Sequence, residues 1–362
     1  MAGILSGWPV RKFLSLTGAR VPIIQAPMAG AGGVALAAAA IRGGAVGSLP
    51  CAMLTSDQVR AQAAEVRAQA EGPLNLNFFC HMLGDPPDDG AWRAVLAPFY
   101  EKEGISAPGA PPPLRAPFDE SMCAVVEEVR PELVSFHFGL PEPALLERVR
   151  RTGAVTVGNA TSFAEGEWLA GKVDMVIAQG FEAGGHAGHF LAGHRPVGTM
   201  ALTREITLDA DVIFVPVIAA GGIGDAAGIA AALQLGAGAV QLGTAYLHTA
   251  EATISTAHRA ALGEETVITN LFSGGLARGV RNKLIEAIGP VHPDAPRFPY
   301  ASAALAELRR VAEADGRGDY SPMWAGQAAA LGRKLSAQPP EGAQALTERL
   351  ARETCELLGE TP

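Results

Sequence analysis

Eight short apolar runs, each ending near polar or glycine-rich residues, constrain this chain more than any other feature. They occupy residues 21–25, 45–48, 74–79, 133–138, 154–158, 173–178, 213–219 and 239–242. Runs of this length and β-branched content read as buried strands. Helical patterns stand between them at residues 34–42, at 55–69 behind an N-cap threonine, and at 226–235. Alternation of strand and helix is the mark of parallel βαβ units, and eight of them predict an α/β chain closed as a (β/α)8 TIM-type barrel.

The rhythm breaks once, between Asp85 and Pro117, where Pro86, Pro87, Gly90, Pro108, Gly109 and Pro111-Pro112-Pro113 crowd together. Because the βα pattern then resumes, an inserted lid at about residues 83–130 is expected rather than a linker. After Thr244 the pattern turns more helical and irregular. The expected organisation is a barrel over residues 1–250 and a mainly helical C-terminal subdomain over 251–362 packed on it.

Composition removes several function classes. With 48% hydrophobic and 18% charged residues, the 362-residue chain has ample material for a core. A net charge of −9 argues against nucleic acid, whose phosphates demand clustered Lys and Arg. Cys51, Cys80, Cys123 and Cys355 form no C-x-x-C pair, so free thiols are expected rather than a zinc knuckle or redox dithiol. No secretory signal and no apolar stretch of membrane-spanning length is seen, which predicts a soluble, cytoplasmic protein with no membrane partner.

The sixth run opens onto Gln179-Gly180-Phe181-Glu182-Ala183-Gly184-Gly185-His186-Ala187-Gly188-His189. Gly184 and Gly185 would let backbone N–H groups approach a ligand, and His186 titrates near neutral pH, so this loop reads as the centre of an active site. In a barrel, active sites gather at the C-terminal ends of the strands, with phosphate on the loops after strands seven and eight. Those loops here hold Gly221, Gly222, Gly243 and Thr244, and a phosphate-bearing ligand is the expected occupant. Gln25, Asn77, His137, Asn159, Gln179 and Gln241 stand at the other strand ends, where amides suit the edge of a heterocycle such as a flavin or purine.

Duller readings compete. The glycines could simply make tight turns, and each amide could be satisfied in the wall. Gly222 to Ala227 fits a relaxed dinucleotide fingerprint, but it follows the seventh run and not the first. His186 and His189, with His194 nearby, form an H-x-x-H pair. They lie in a glycine loop and not on the helix that catalytic zinc sites favour, so no metal is expected and a general base is the better reading of His186. His81, His248, His258 and His292 read as structural or surface residues.

Together these stretches resemble the nitronate monooxygenases, formerly called 2-nitropropane dioxygenases, and especially their class I branch. The resemblance is carried by Gln25-Ala26-Pro27-Met28-Ala29-Gly30, Asn75-Leu76-Asn77-Phe78-Phe79, Val134-Ser135-Phe136-His137-Phe138-Gly139, Val157-Gly158-Asn159-Ala160-Thr161 and Glu182-Ala183-Gly184-Gly185-His186. Ala219-Ala220-Gly221-Gly222-Ile223, Gln241-Leu242-Gly243-Thr244, Ala277-Arg278-Gly279 and Met323-Trp324-Ala325-Gly326-Gln327 extend it over nearly the whole chain. One departure is Gly275, where family members often carry arginine.

The resemblance implies a barrel that binds FMN, with Ala26, Pro27 and Met28 along the isoalloxazine and Asn77 and Gln179 near it. Gly184, Gly222, Gln241, Leu242, Gly243 and Thr244 would hold the ribityl phosphate, with Gly185 and Gly221 also among the cofactor-binding residues. It implies His186 as the catalytic and substrate-binding histidine and His137 in the substrate pocket. The reaction implied is oxidation of an alkyl nitronate by molecular oxygen to a carbonyl product and nitrite. Whether His186 is a base or a cationic anchor stays open, as does a homodimer. A flavin reductase taking hydride from NADH to a quinone or an enoyl thioester is the alternative, followed by a non-flavin barrel and an idle ligand carrier.

Overall fold

The computed structural model describes residues 3–106, 114–192, 195–208, 214–335 and 341–360. Each of the eight apolar runs supplies a parallel strand: β1 (Ile23–Gln25), β2 (Gly47–Pro50), β3 (Leu74–Phe79), β4 (Leu133–His137), β5 (Val155–Ala160), β6 (Met175–Gln179), β8 (Val217–Ala220) and β9 (Ala239–Leu242). Between β6 and β8 lies a two-residue strand, β7 (Gly185–His186), which joins β10 (Thr266–Thr269) and β11 (Ala277–Val280) in a small antiparallel sheet. The seventh run starts later than its apolar pattern predicts. Phe214 is exposed, Pro216 has no N–H to offer a ladder, and residue 213 lies outside the described residues.

The large sheet runs β1-β9-β8-β6-β5-β4-β3-β2, and its two ends meet. Val46 bridges Ile24, with Gln25 N–H donating to Val46 O (2.9 Å) and Val46 N–H to Ile23 O (3.0 Å). These bonds close the expected (β/α)8 barrel. Its interior is packed by Ile24, Val46, Val157, Met175, Ile177 and Ile218 around Phe13. Phe13 comes from the helix Trp8–Thr17, which plugs the N-terminal end. Packing of this kind makes the barrel a core and not a pore, so ligands are confined to its mouth.

Shell helices present an apolar stripe to the barrel, and some begin at a side-chain cap. Ser56–Gln69 follows Thr55 in a capping box: Gln58 N–H donates to Thr55 Oγ1 and Thr55 N–H to Gln58 Oε1. Glu120–Val129 also lies in this shell, burying Met122, Cys123, Val125 and Val126. The last helix, Ala343–Leu358, packs beside Val34–Arg42 and Ala226–Gln234, placing Leu346 and Leu350 against Ala39, Ala40, Ile229 and Leu233. Residues between β9 and this helix therefore form an excursion from the barrel's eighth βα unit.

That excursion shares a core with the insertion after β3. Trp92 and Leu96 of the helix Gly90–Lys102 pack with Leu284, Ile285, Leu305, Leu308 and Tyr320. All four cysteines are free thiols. Among the described residues no helix is long and apolar enough to cross a membrane.

Candidate active site

Parallel strands point their C-terminal ends the same way, so Gln25, Asn77, His137, Asn159, Gln179 and Gln241 share one rim. Some of these amides are spent inside the wall. Gln25 Oε1 accepts from Ser48 N–H (2.9 Å) while its Nε2 donates to Ala26 O. Asn77 Nδ2 donates to Ser135 Oγ (2.9 Å). Others brace the glycine loop. Gln179 Oε1 accepts from Asn159 Nδ2 (2.9 Å) and Gly188 N–H (3.0 Å), and its Nε2 donates to His186 O (2.9 Å). Gln241 differs from all of these, because its buried Oε1 has no partner among the described residues. An orphaned buried acceptor is costly and marks where a ligand donor fits.

The loop is held from both sides. His137 Nε2 lies 3.2 Å from His186 O, and since a carbonyl only accepts, this nitrogen carries the proton. Burial pushes His137 down to about 4, outweighing the opposing pull of that bond. From the excursion, β11 pairs with β7 so that Ala277 faces His186 and Arg278 faces Gly185. Arg278 Nε also donates to Phe181 O (2.8 Å).

His186 is itself buried, with Nε2 2.8 Å from Ser273 Oγ. Its ring meets Phe298 (5.1 Å between centroids), Trp324 (5.5 Å), Phe79 and Phe138 (6.1 Å each). Burial, and then the positive charge of Arg115 and the neighbouring His137 and His81, hold this imidazole well below its ordinary value. It is uncharged at neutral pH. Phe138 takes a left-handed φ of +65°, a strained conformation of the kind that clusters at functional sites.

Ser273, Phe298, Trp324 and Arg115 are absent from the sequence-derived site, although Trp324 lies in a stretch that carries the resemblance, Arg115 in the expected insertion and Ser273 two residues before Gly275. His81, read as structural or surface, has its ring 4.8 Å from Phe298. Its position two residues beyond the end of β3 was the available signal. Among the described residues no three His, Cys, Asp or Glu side chains could hold a metal ion together, and His194 lies outside them.

The loops after β6, β8 and β9 converge on one end of the mouth. Gly221 and Gly222 have φ of +113° and +69°, which favours glycine. A Cβ on Gly184 would lie 2.6 Å from Gly326 N and 2.7 Å from Ala325 C, so the 323–327 segment closes directly on the loop. Gly326 N–H donates to Thr244 Oγ1 (2.8 Å), and Gln327 N–H to Glu182 O (2.9 Å). Gly243 sits against the Ala26–Met28 turn, where a Cβ would come 3.6 Å from Ala26 Cβ and Met28 Sδ. A partly apolar turn, an unpartnered amide oxygen and closely approaching glycine backbone fit a flat heterocycle with an anionic tail.

A nitronate monooxygenase family model matches residues 12–339. The chain is 42% identical over 340 residues to a nitronate monooxygenase of Paraburkholderia phytofirmans, covering 90% of this chain and 92% of that protein. It is 38% identical to a nitronate monooxygenase of Pseudomonas aeruginosa, over 90% and 95% of the two chains. Among solved structures, a nitroalkane oxidase from Streptomyces ansochromogenes superposes with a TM-score of 0.84 at 31% identity, covering 95% and 98%. FabK from Thermotoga maritima shares the fold, with a TM-score of 0.73 at 24% identity over 96% and 97%. With its barrel mouth, its braced histidine loop and these relatives, the chain belongs to the nitronate monooxygenase family of flavin-dependent oxidoreductases.

Proposed function

We propose that the protein oxidises alkyl nitronates, such as propionate-3-nitronate, with molecular oxygen to a carbonyl product and nitrite, and that its flavin is FMN. The observation that carries this reading is His186, an uncharged imidazole walled by aromatic rings and held by its own carbonyl's bonds to Gln179 and His137. Ala26, Pro27, Met28, Asn77 and Gln179 would hold the flavin ring. Gly184, Gly185, Gly221, Gly222, Gln241, Leu242, Gly243 and Thr244 would hold its phosphate-bearing tail. The chemistry that a bound FMN supplies is acceptance of electrons from the nitronate and their delivery to oxygen.

The chain's own residues bind the substrate and manage its proton. A neutral nitroalkane must lose its α-proton before it becomes a nitronate, and an uncharged imidazole takes that proton whereas a charged one cannot. Phe79, Phe138, Phe298 and Trp324 keep water from the imidazole, and Ser273 Oγ fixes the ring's orientation. His137, its Nε2–H committed to the His186 carbonyl, lines the pocket as a neutral group.

The test is anaerobic stopped-flow absorbance of the purified yellow protein, mixed with propionate-3-nitronate and separately with NADH. Bleaching by the nitronate with little response to NADH is expected. Bleaching by NADH alone would overturn the reading in favour of a reductase acting on a quinone or an enoyl thioester. Colourless protein would remove both.

A further inference from the structure

Residues 114–118 bring the insertion back to the barrel mouth, and three bonds fix their path. Ala116 N–H donates to Ala52 O (3.2 Å), Phe118 N–H to Phe79 O (2.7 Å), and His81 Nε2 to Arg115 O (3.1 Å). The His81 ring packs on Phe298, which in turn packs on His186. Arg115 therefore stands on the rim, with His81 and Phe298 linking it to the histidine.

Its side chain is partly buried, yet among the described residues its guanidinium makes no ion pair and no hydrogen bond. Other arginines of this chain are treated differently: Arg60, Arg93, Arg148, Arg317 and Arg349 all meet carboxylates. Burial, and then the charge of Arg309, press the Arg115 guanidinium below its usual range. Arg309 spends one end on Glu313 (3.3 Å), and its buried Nε has no partner among the described residues. A desolvated guanidinium without a partner is costly, and an anionic ligand offsets that cost through paired, charge-assisted hydrogen bonds.

We propose that Arg115 determines substrate specificity by binding a carboxylate carried on the alkyl chain of the nitronate, while His186 faces the nitro-bearing carbon. The FMN phosphate is not a candidate for this role, because the glycine loops that suit it follow β6, β8 and β9, whereas Arg115 stands beside β3. The proposal rests on the nitronate reading above and adds to it the residue that recognises the carboxylate tail of a substrate such as propionate-3-nitronate.

The test compares wild type, Arg115→Gln and Arg115→Lys holoenzymes on propionate-3-nitronate and on propyl-1-nitronate, which has the same chain length and a neutral tail. The ratio of kcat/KM for the charged over the neutral substrate should fall ~10- to 100-fold in Arg115→Gln, through KM, with partial recovery in Arg115→Lys. Equal losses on both nitronates, or no loss, would overturn the proposal. A calorimetric titration with succinate, the dicarboxylate of the same shape, and with butyrate as its monoanionic control, decides the matter without turnover. Binding that prefers succinate and weakens in Arg115→Gln supports the site; binding indifferent to the substitution overturns it. Should wild type oxidise neither nitronate, the functional reading fails while the titration still decides on Arg115.

Discussion

His186 is held uncharged by burial and by the positive charge of Arg115 beside it, and this favours a base over a cationic anchor. His186→Asn should therefore lower kcat/KM for nitroethane, which must be deprotonated, by about 10²- to 10⁴-fold. Ethyl nitronate has already lost that proton and should suffer far less; steady-state oxygen uptake with both substrates checks it, and equal losses would deny the base role. Gln179 acts one step back. Gln179→Met keeps the volume but strands Asn159 Nδ2, Gly188 N–H and one bond to His186 O, at about 1–3 kcal/mol for each orphaned group. Urea unfolding should show the loss directly. The placement of His186, His137 and Gln179 at the barrel mouth was legible in the sequence because strand ends can be read from local pattern. Ser273 was not, since it meets His186 from 87 residues away, and the charge state of His186 was not, since it follows from burial.

The antiparallel pairing of β7 with β11 and the closure of the 323–327 segment turn the glycine loop from a flexible turn into a fixed surface. Gly184 is the point of closest approach. In Gly184→Ala the added carbon would meet backbone atoms of Ala325 and Gly326, which cannot swing aside as a side-chain end can, so the segment must move as a whole. Flavin content after purification, read as the ratio of 450 to 280 nm absorbance, should fall several-fold while circular dichroism stays that of wild type. Full flavin content would separate this segment from cofactor retention. The barrel strands were readable because a buried parallel strand is a continuous apolar run. The plug helix Trp8–Thr17 buries Val10, Phe13 and Thr17 at helical spacing, but it stands before the first strand and so outside the alternation of strand and helix from which the barrel was read. β7 could not be read at all, because two residues become a strand only when a distant partner pairs with them.

At the scale of the whole molecule, the fold buries imidazoles both at the barrel mouth and inside the excursion. His137 and His258 are both pushed down to about 4, chiefly by burial, and His186 is also held well below its ordinary value. In the unfolded chain each would titrate near ~6.5. Below that pH the unfolded state binds protons that the fold refuses, so stability should fall as pH drops from about 6.5 toward 4. The slope is about 1.4 kcal/mol per pH unit for each imidazole that stays neutral. Glu103 acts in a lower window. Hydrogen bonds from Arg317 and Tyr320 hold it at about 2, so its contribution is present above an unfolded value near 4.5 and is lost as pH falls through 2. Urea midpoints measured at half-unit steps from pH 7.5 to 4 should stay level above 6.5 and then decline with the slope of several protons. His258→Gln should remove one proton from that slope, because its imidazole no longer distinguishes the folded from the unfolded state. Midpoints that stay level down to pH 5 would mean that these histidines are charged inside the fold, and the base role of His186 would fall with them.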